Sequence, residues 1–140
     1  MYCTQLDVER RIDPVHLAEL ADDNSDGVTD AAIIEAAITD ADATIDTYLS
    51  SRYQTPLNNP PALVRKLSID LAIAALFNRR REAASPTQES RAKLALELLT
   101  EISRGEVLLP ALDNTAVKKT ASSTTFDHEK KFSKHHLAGF

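Results

Sequence analysis

Tryptophan is absent from this 140-residue chain, aromatic residues make up only 5%, and there are three glycines and one cysteine. Each shortage excludes something. Gly27, Gly105 and Gly139 are too few for a phosphate-cradling loop or for a fold of many tight turns. The lone Cys3 has no partner for an internal disulfide, so the chain needs no oxidising compartment, and it lies near a terminus expected to be mobile. No apolar run reaches the ~18 residues that a membrane-spanning helix needs, so no membrane partner is expected. Residues 1–7 lack the basic and apolar regions of a secretion signal, and the expectation is a protein made in a cytoplasm.

What is present is alanine and acid. Twenty alanines sit within the 43% apolar fraction, which favours closely packed helices while burying little area per residue. The net charge of −5 is unevenly spread. Residues 113–140 carry five lysines against three acids, or +2, which leaves −7 on residues 1–112. An acidic body with a weakly basic tail argues against a nucleic-acid-binding domain, whose footprint is a concentrated basic patch.

Patterning along the chain predicts an all-α fold, a small bundle of about four helices with a flexible C-terminal arm. Asp13-Pro14 is an N-cap followed by proline at the first helical position and opens a helix over 14–21. The clearest helix covers 30–49, with Ile34, Ile38, Ala41, Ile45 and Tyr48 on one face and Glu35, Asp42 and Asp46 on another. Three prolines and two asparagines within 50–61 end it. The helix over 61–81 is apolar nearly all round and is expected at the centre, closing on Arg79-Arg80-Arg81. Ser85-Pro86-Thr87-Gln88 is a capping box for a helix over 86–104, which Gly105 terminates. Central burial is expected for Ile38, Ala41, Ile45, Leu67, Leu71, Ala74, Leu96 and Leu99. The chain then divides into a helical domain, 1–112, and an arm, 113–140, in which 113–125 has too few apolar groups to fold and is expected to be a mobile linker.

Chemistry-bearing constellations are sparse. Asp22, Asn24, Asp26, Gly27 and Asp30 match most of a calcium loop, but its twelfth position is Ile33 where a bidentate glutamate belongs. The preferred reading is a polar turn with Gly27 at positive φ. Asp70 lies inside the most apolar helix, and Lys66, four residues earlier, is its expected surface partner. The Arg79–Arg81 triplet is read as a solvated helix end in preference to a phosphate contact. His128, His135 and His136 sit in the arm, where nothing holds them in a metal geometry. No catalytic, cofactor-binding or metal residue is assigned, and no enzyme or cofactor is expected.

The segment Tyr48-Leu49-Ser50-Ser51-Arg52-Tyr53-Gln54-Thr55-Pro56-Leu57, followed by Pro60-Pro61 and an Ala/Leu/Ile helix, resembles the phage Mu-type head–tail connector family of tailed phages and prophages. So does the ending Lys131-Phe132-Ser133-Lys134-His135-His136-Leu137-Ala138-Gly139-Phe140, although His135 and His136 replace some of the basic residues usual there. The resemblance implies a structural protein of the virion that forms a ring with copies of itself on the portal, joins head to tail or stopper proteins, and lets DNA pass without sequence-specific contact. It directs attention to Arg52, Tyr53, Pro56 and Leu57, and to Phe126, Phe132 and Phe140 in the arm, as subunit or partner contacts. For Tyr53 and Leu57 a second reading stands beside this, in which they cover the base of the chain's own core. The alternatives by function are a small helical DNA-binding regulator and, behind it, a metal-binding module.

Overall fold

The computed structural model describes residues 1–80 and 84–110. Within them lie α1 (Gln5–Glu9), α2 (Pro14–Ala21), α3 (Ala31–Leu49), α4 (Ala62–Arg80) and α5 (Pro86–Arg104), and the described residues contain no strand. Four of the helices fall within a residue of their predicted bounds, and at α2 and α5 the punctuation acts as the sequence says. Asp13 caps α2 by accepting from the Val15 N–H at 3.0 Å, with Pro14 in the first turn. Ser85 and Gln88 form the reciprocal box at the head of α5. Gly105 closes α5 in the left-handed conformation at φ 81°.

The fifth helix, α1, is the addition. It too has a capping box, Thr4 with Asp7, but five residues cannot sustain a helix in isolation. Packing holds it: Val8 is fully buried. With it the N-terminus is fixed, and Cys3, expected on a mobile end, is 3% exposed.

Two groups of buried side chains run through the molecule. The first joins Val8, Ile12, Leu17 and Leu20 of the N-terminal segment to Ile34 and Ile38 of α3 and to Ile73, Leu76 and Phe77 of α4. The second joins Ile45 and Leu49 of α3 to Val64 and Leu67 of α4 and to Ala95, Leu99 and Ile102 of α5. The early half of α3 thus faces the late half of α4, so these two helices are antiparallel, and α5 runs in the same direction as α3, packed against both α4 and the late half of α3. Every other helix packs against α4, as its all-round apolar surface predicts.

Three predicted core residues are not fully buried. Leu96 is 38% exposed, and Leu71 and Ala74 are half-buried. α3 and α5 flank α4 without meeting over this part of it, so the apolar stripe between them is left partly open. The arm and its boundary at 112/113 lie outside the described residues.

Candidate functional site

The connection between α3 and α4, residues 50–61, is the part of the fold whose sequence is most particular. Its entry is a tight overwinding of the end of α3, with Arg52 N–H and Tyr53 N–H both donating to the Leu49 carbonyl, at 2.9 and 2.8 Å. This turn drives Tyr53 inward to 3% exposure. The Tyr53 hydroxyl then accepts from the Leu109 N–H at 3.2 Å, which pins the segment after α5. The Thr55–Pro56 peptide is cis, Pro56 faces solvent, and Leu57 turns back in at 7% exposure.

A second tyrosine holds the far side. Tyr2 donates its hydroxyl proton to the Asp46 carboxylate and accepts the Leu57 N–H at 2.9 Å. Its backbone N–H donates to Asp42 Oδ2 at 2.8 Å, and the Ser68 hydroxyl donates to Asp42 Oδ1 at 2.6 Å. Ser68 also lies 3.2 Å from Cys3 Sγ. N-terminus, α3, the 50–61 strap and α4 are thereby tied through one polar network at the edge of an apolar core. Burial pushes the Tyr2 phenol well above its ordinary range, reinforced by the bond to Asp46. Burial likewise pushes the Cys3 thiol up, against a smaller opposing effect of Ser68.

Arg52 is half-buried and lies over Gly105 at the carboxyl end of α5, where the helix dipole is negative. A Cβ at position 105 would collide with the Arg52 guanidinium. Gly105 is therefore needed twice, for its positive φ and for the room it leaves the guanidinium.

The candidate contacts thus separate. Arg52 and Pro56 reach the surface, whereas Tyr53 and Leu57 are spent inside the chain, the second of the two readings for that pair. Phe126, Phe132 and Phe140 lie outside the described residues, as do Arg81 and the arm histidines.

The acidic loop between α2 and α3 is a turn built on its own carboxylates. Asp22 accepts from the Gly27 N–H at 2.8 Å and the Asp26 N–H at 3.3 Å, and Asp26 from the Val28 N–H at 2.8 Å. Those amides, Gly27 first, hold the Asp22 carboxyl below its usual range. Gly27 has φ 79°, as predicted. Arg79 and Arg80 do not end in solvent alone: both bond the Leu20 carbonyl and pair with Asp23, and Arg80 also bonds the Asp22 carbonyl. They clamp the loop to the end of α4.

Asp70 differs from expectation. It is 5% exposed, and its partner is Arg11, 3.9 Å away across the α1–α2 corner, not Lys66. The helix register puts Lys66 on the exposed side of α4 and Asp70 on the buried side. The Asp70 Oδ1 atom has no hydrogen-bond partner among the described residues.

Sequence reasoning missed the Tyr2–Asp42–Asp46–Ser68 network, because Asp42 and Asp46 look like members of a solvated acidic face. The available clue was Ser68, a polar residue in a helix apolar all round, which needs a buried partner.

Together these features define, over the described residues, a small all-α module in which the Tyr2 hydroxyl ties the N-terminus to α3 and the 50–61 connection, and the Tyr53 hydroxyl ties the segment after α5 to that connection. The chain belongs to the family described as Bacteriophage Mu, Gp36, whose model matches residues 2–127 and so spans every described helix, the strap and Phe126. It is a phage protein of Mu type. Comparison with curated proteins returns no match.

Proposed function

We propose that this chain is a head–tail connector of a tailed phage or prophage: a structural, non-enzymatic protein that forms a ring with its own copies on the portal and offers tail or stopper proteins a platform. The family match over residues 2–127 carries this reading. Two features of the chain support it. The body of net charge −7 suits a channel through which DNA passes without being gripped, since like charges disfavour contact with phosphate. The arm, with three phenylalanines, holds apolar groups each worth about 1.5–3 kcal/mol on burial, a natural reserve for assembly. In this reading the protein resides in the virion at the head–tail interface.

The test is co-expression with the portal protein of the phage or prophage that encodes this chain. The expected outcome is co-purification as a particle that electron microscopy resolves as a ring stacked on the portal. A chain that stays monomeric beside assembled portal, and whose removal leaves heads able to accept tails, would overturn the proposal.

A further inference from the structure

The positions where the core was expected to close and does not are gathered in one place. Leu71, Ala74 and Ala75 of α4 form the floor of a groove of about 290 Å³, with Ala92 and Leu96 of α5 on one wall and Asp40 of α3 at its rim. A second hollow of about 290 Å³, at Thr47, Tyr48, Ser51 and Ser103, continues it along the same α3–α5 seam. From Asp40 to Ser51 the seam runs about 17 Å at the rise of an α-helix. The first hollow is lined mainly by alanine and leucine, with Thr44 and Asn78 as polar members, the second by hydroxyl-bearing side chains, and no described residue pairs with the Asp40 carboxylate.

The rest of the sequence supplies a matching occupant. Of the four phenylalanines, Phe77 is fully buried in the body and the others, Phe126, Phe132 and Phe140, all follow Pro110. The segment that carries them, 126–140, holds Lys130, Lys131 and Lys134 against Asp127 and Glu129, a net +1 opposite in sign to the body. Leu109 is pinned by Tyr53, so the chain leaves the body beside the Ser51–Ser103 end of the seam. The fifteen residues 111–125 extend to about 50 Å, some three times what their own groove requires. They exceed the ~35 Å between centres of two touching domains of about 110 residues. We infer that the α3–α5 groove receives residues 126–140 of a second copy of this chain, with phenylalanine rings on Leu71, Ala74 and Leu96 and lysines toward Asp40.

This rests on the connector reading only in requiring that copies associate. Two full-length variants, Thr44→Cys and Ser133→Cys, are mixed and oxidised; the native Cys3 is buried and stays out of the reaction. The expected major product is a covalent heterodimer bridging positions 44 and 133, absent when Val15→Cys, on exposed α2 surface, replaces Thr44→Cys. In parallel, Ala92→Arg, which fills the groove from a helix position that tolerates arginine, is expected to abolish association while the circular dichroism of the helices is unchanged. Rings that form without the crosslink and despite Ala92→Arg would overturn the docking and leave the connector reading standing. A crosslink with association that never closes into rings would support the docking and overturn the ring. A bridge that forms only within the Thr44→Cys/Ser133→Cys double variant, independent of concentration, would show the arm on its own subunit and overturn the inference.

Discussion

Replacing Tyr2 with phenylalanine removes one oxygen and keeps the buried ring, so it isolates the hydroxyl that joins Asp46 to the Leu57 amide. Two losses follow. The Leu57 N–H, buried beside a side chain 7% exposed, is left without an acceptor, which costs about 1–3 kcal/mol. The bond to a carboxylate is of the charge-assisted kind, about 1.5–3 kcal/mol, but Asp46 is half-buried and water recovers part of it. The expected destabilisation is therefore about 2–4 kcal/mol, a large share of the ~5–15 kcal/mol available to a small domain. In urea unfolding, with a slope of about 1–2 kcal/mol/M at this size, the midpoint is expected to fall by roughly 2 M with the slope unchanged. Asp46→Asn alone is expected to weaken the same bridge, and the double variant to cost less than the two single changes together, with coupling of about 1 kcal/mol or more. A loss for Tyr2→Phe below about 0.5 kcal/mol, or strict additivity with Asp46→Asn, would refute the argument that this hydroxyl anchors the strap.

Four further outcomes are expected. Gly105→Ala costs about 1–2 kcal/mol for its left-handed backbone plus the displacement of Arg52, and Arg52→Ala in the same chain relieves the second part; thermal melts of the two singles and the double measure this. Leu99→Ala, at a fully buried site, costs about 2–5 kcal/mol, whereas Leu96→Ala in the open groove costs under ~1 kcal/mol in the isolated subunit. Tyr2 and Cys3 bind their protons more tightly folded than unfolded, so their contribution is complete below the ordinary thiol and phenol values and is lost as pH rises above them; unfolding midpoints are expected to fall from about pH 9 upward, and less steeply in Tyr2→Phe. Millimolar calcium is expected to leave the melting temperature unchanged, because the Asp22 and Asp26 carboxylates are already committed to backbone amides; a rise that disappears in Asp26→Ala would contradict this.

What could be read ahead of the structure was whatever is encoded locally. Asp13-Pro14, the Ser85–Gln88 box and Gly105 each specify a helix end through neighbours in the chain, and each end stands where it was expected. The Arg52–Leu57 segment was singled out by its residues, but whether Tyr53 faced a partner or its own core depended on the turn at Leu49, which periodicity does not report. The Asp70 partner was misjudged for a related reason. Spacing of four suggests Lys66, yet the side of α4 that carries Asp70 is settled by what packs there, and Arg11 arrives from 59 residues earlier, just past a helix too short to predict. Leu96 and Leu71 fit the core pattern and are uncovered, a mismatch visible only once helix placement is known.

The division of the buried residues into two groups has a consequence for how the subunit breathes. α1 and α2 belong to one group and the apolar face of α5 to the other, and only α3 and α4 pass through both. Amide protons of α5 are therefore expected to exchange through openings that leave the α1–α2 end protected, and the reverse. The adjacent residues Tyr2 and Cys3 fall in different groups, so the first turn of chain is a stitch across the seam between them. Removing that stitch, residues 1–3, is expected to widen the difference in amide-exchange protection between the two ends, while α3 and α4 continue to join them.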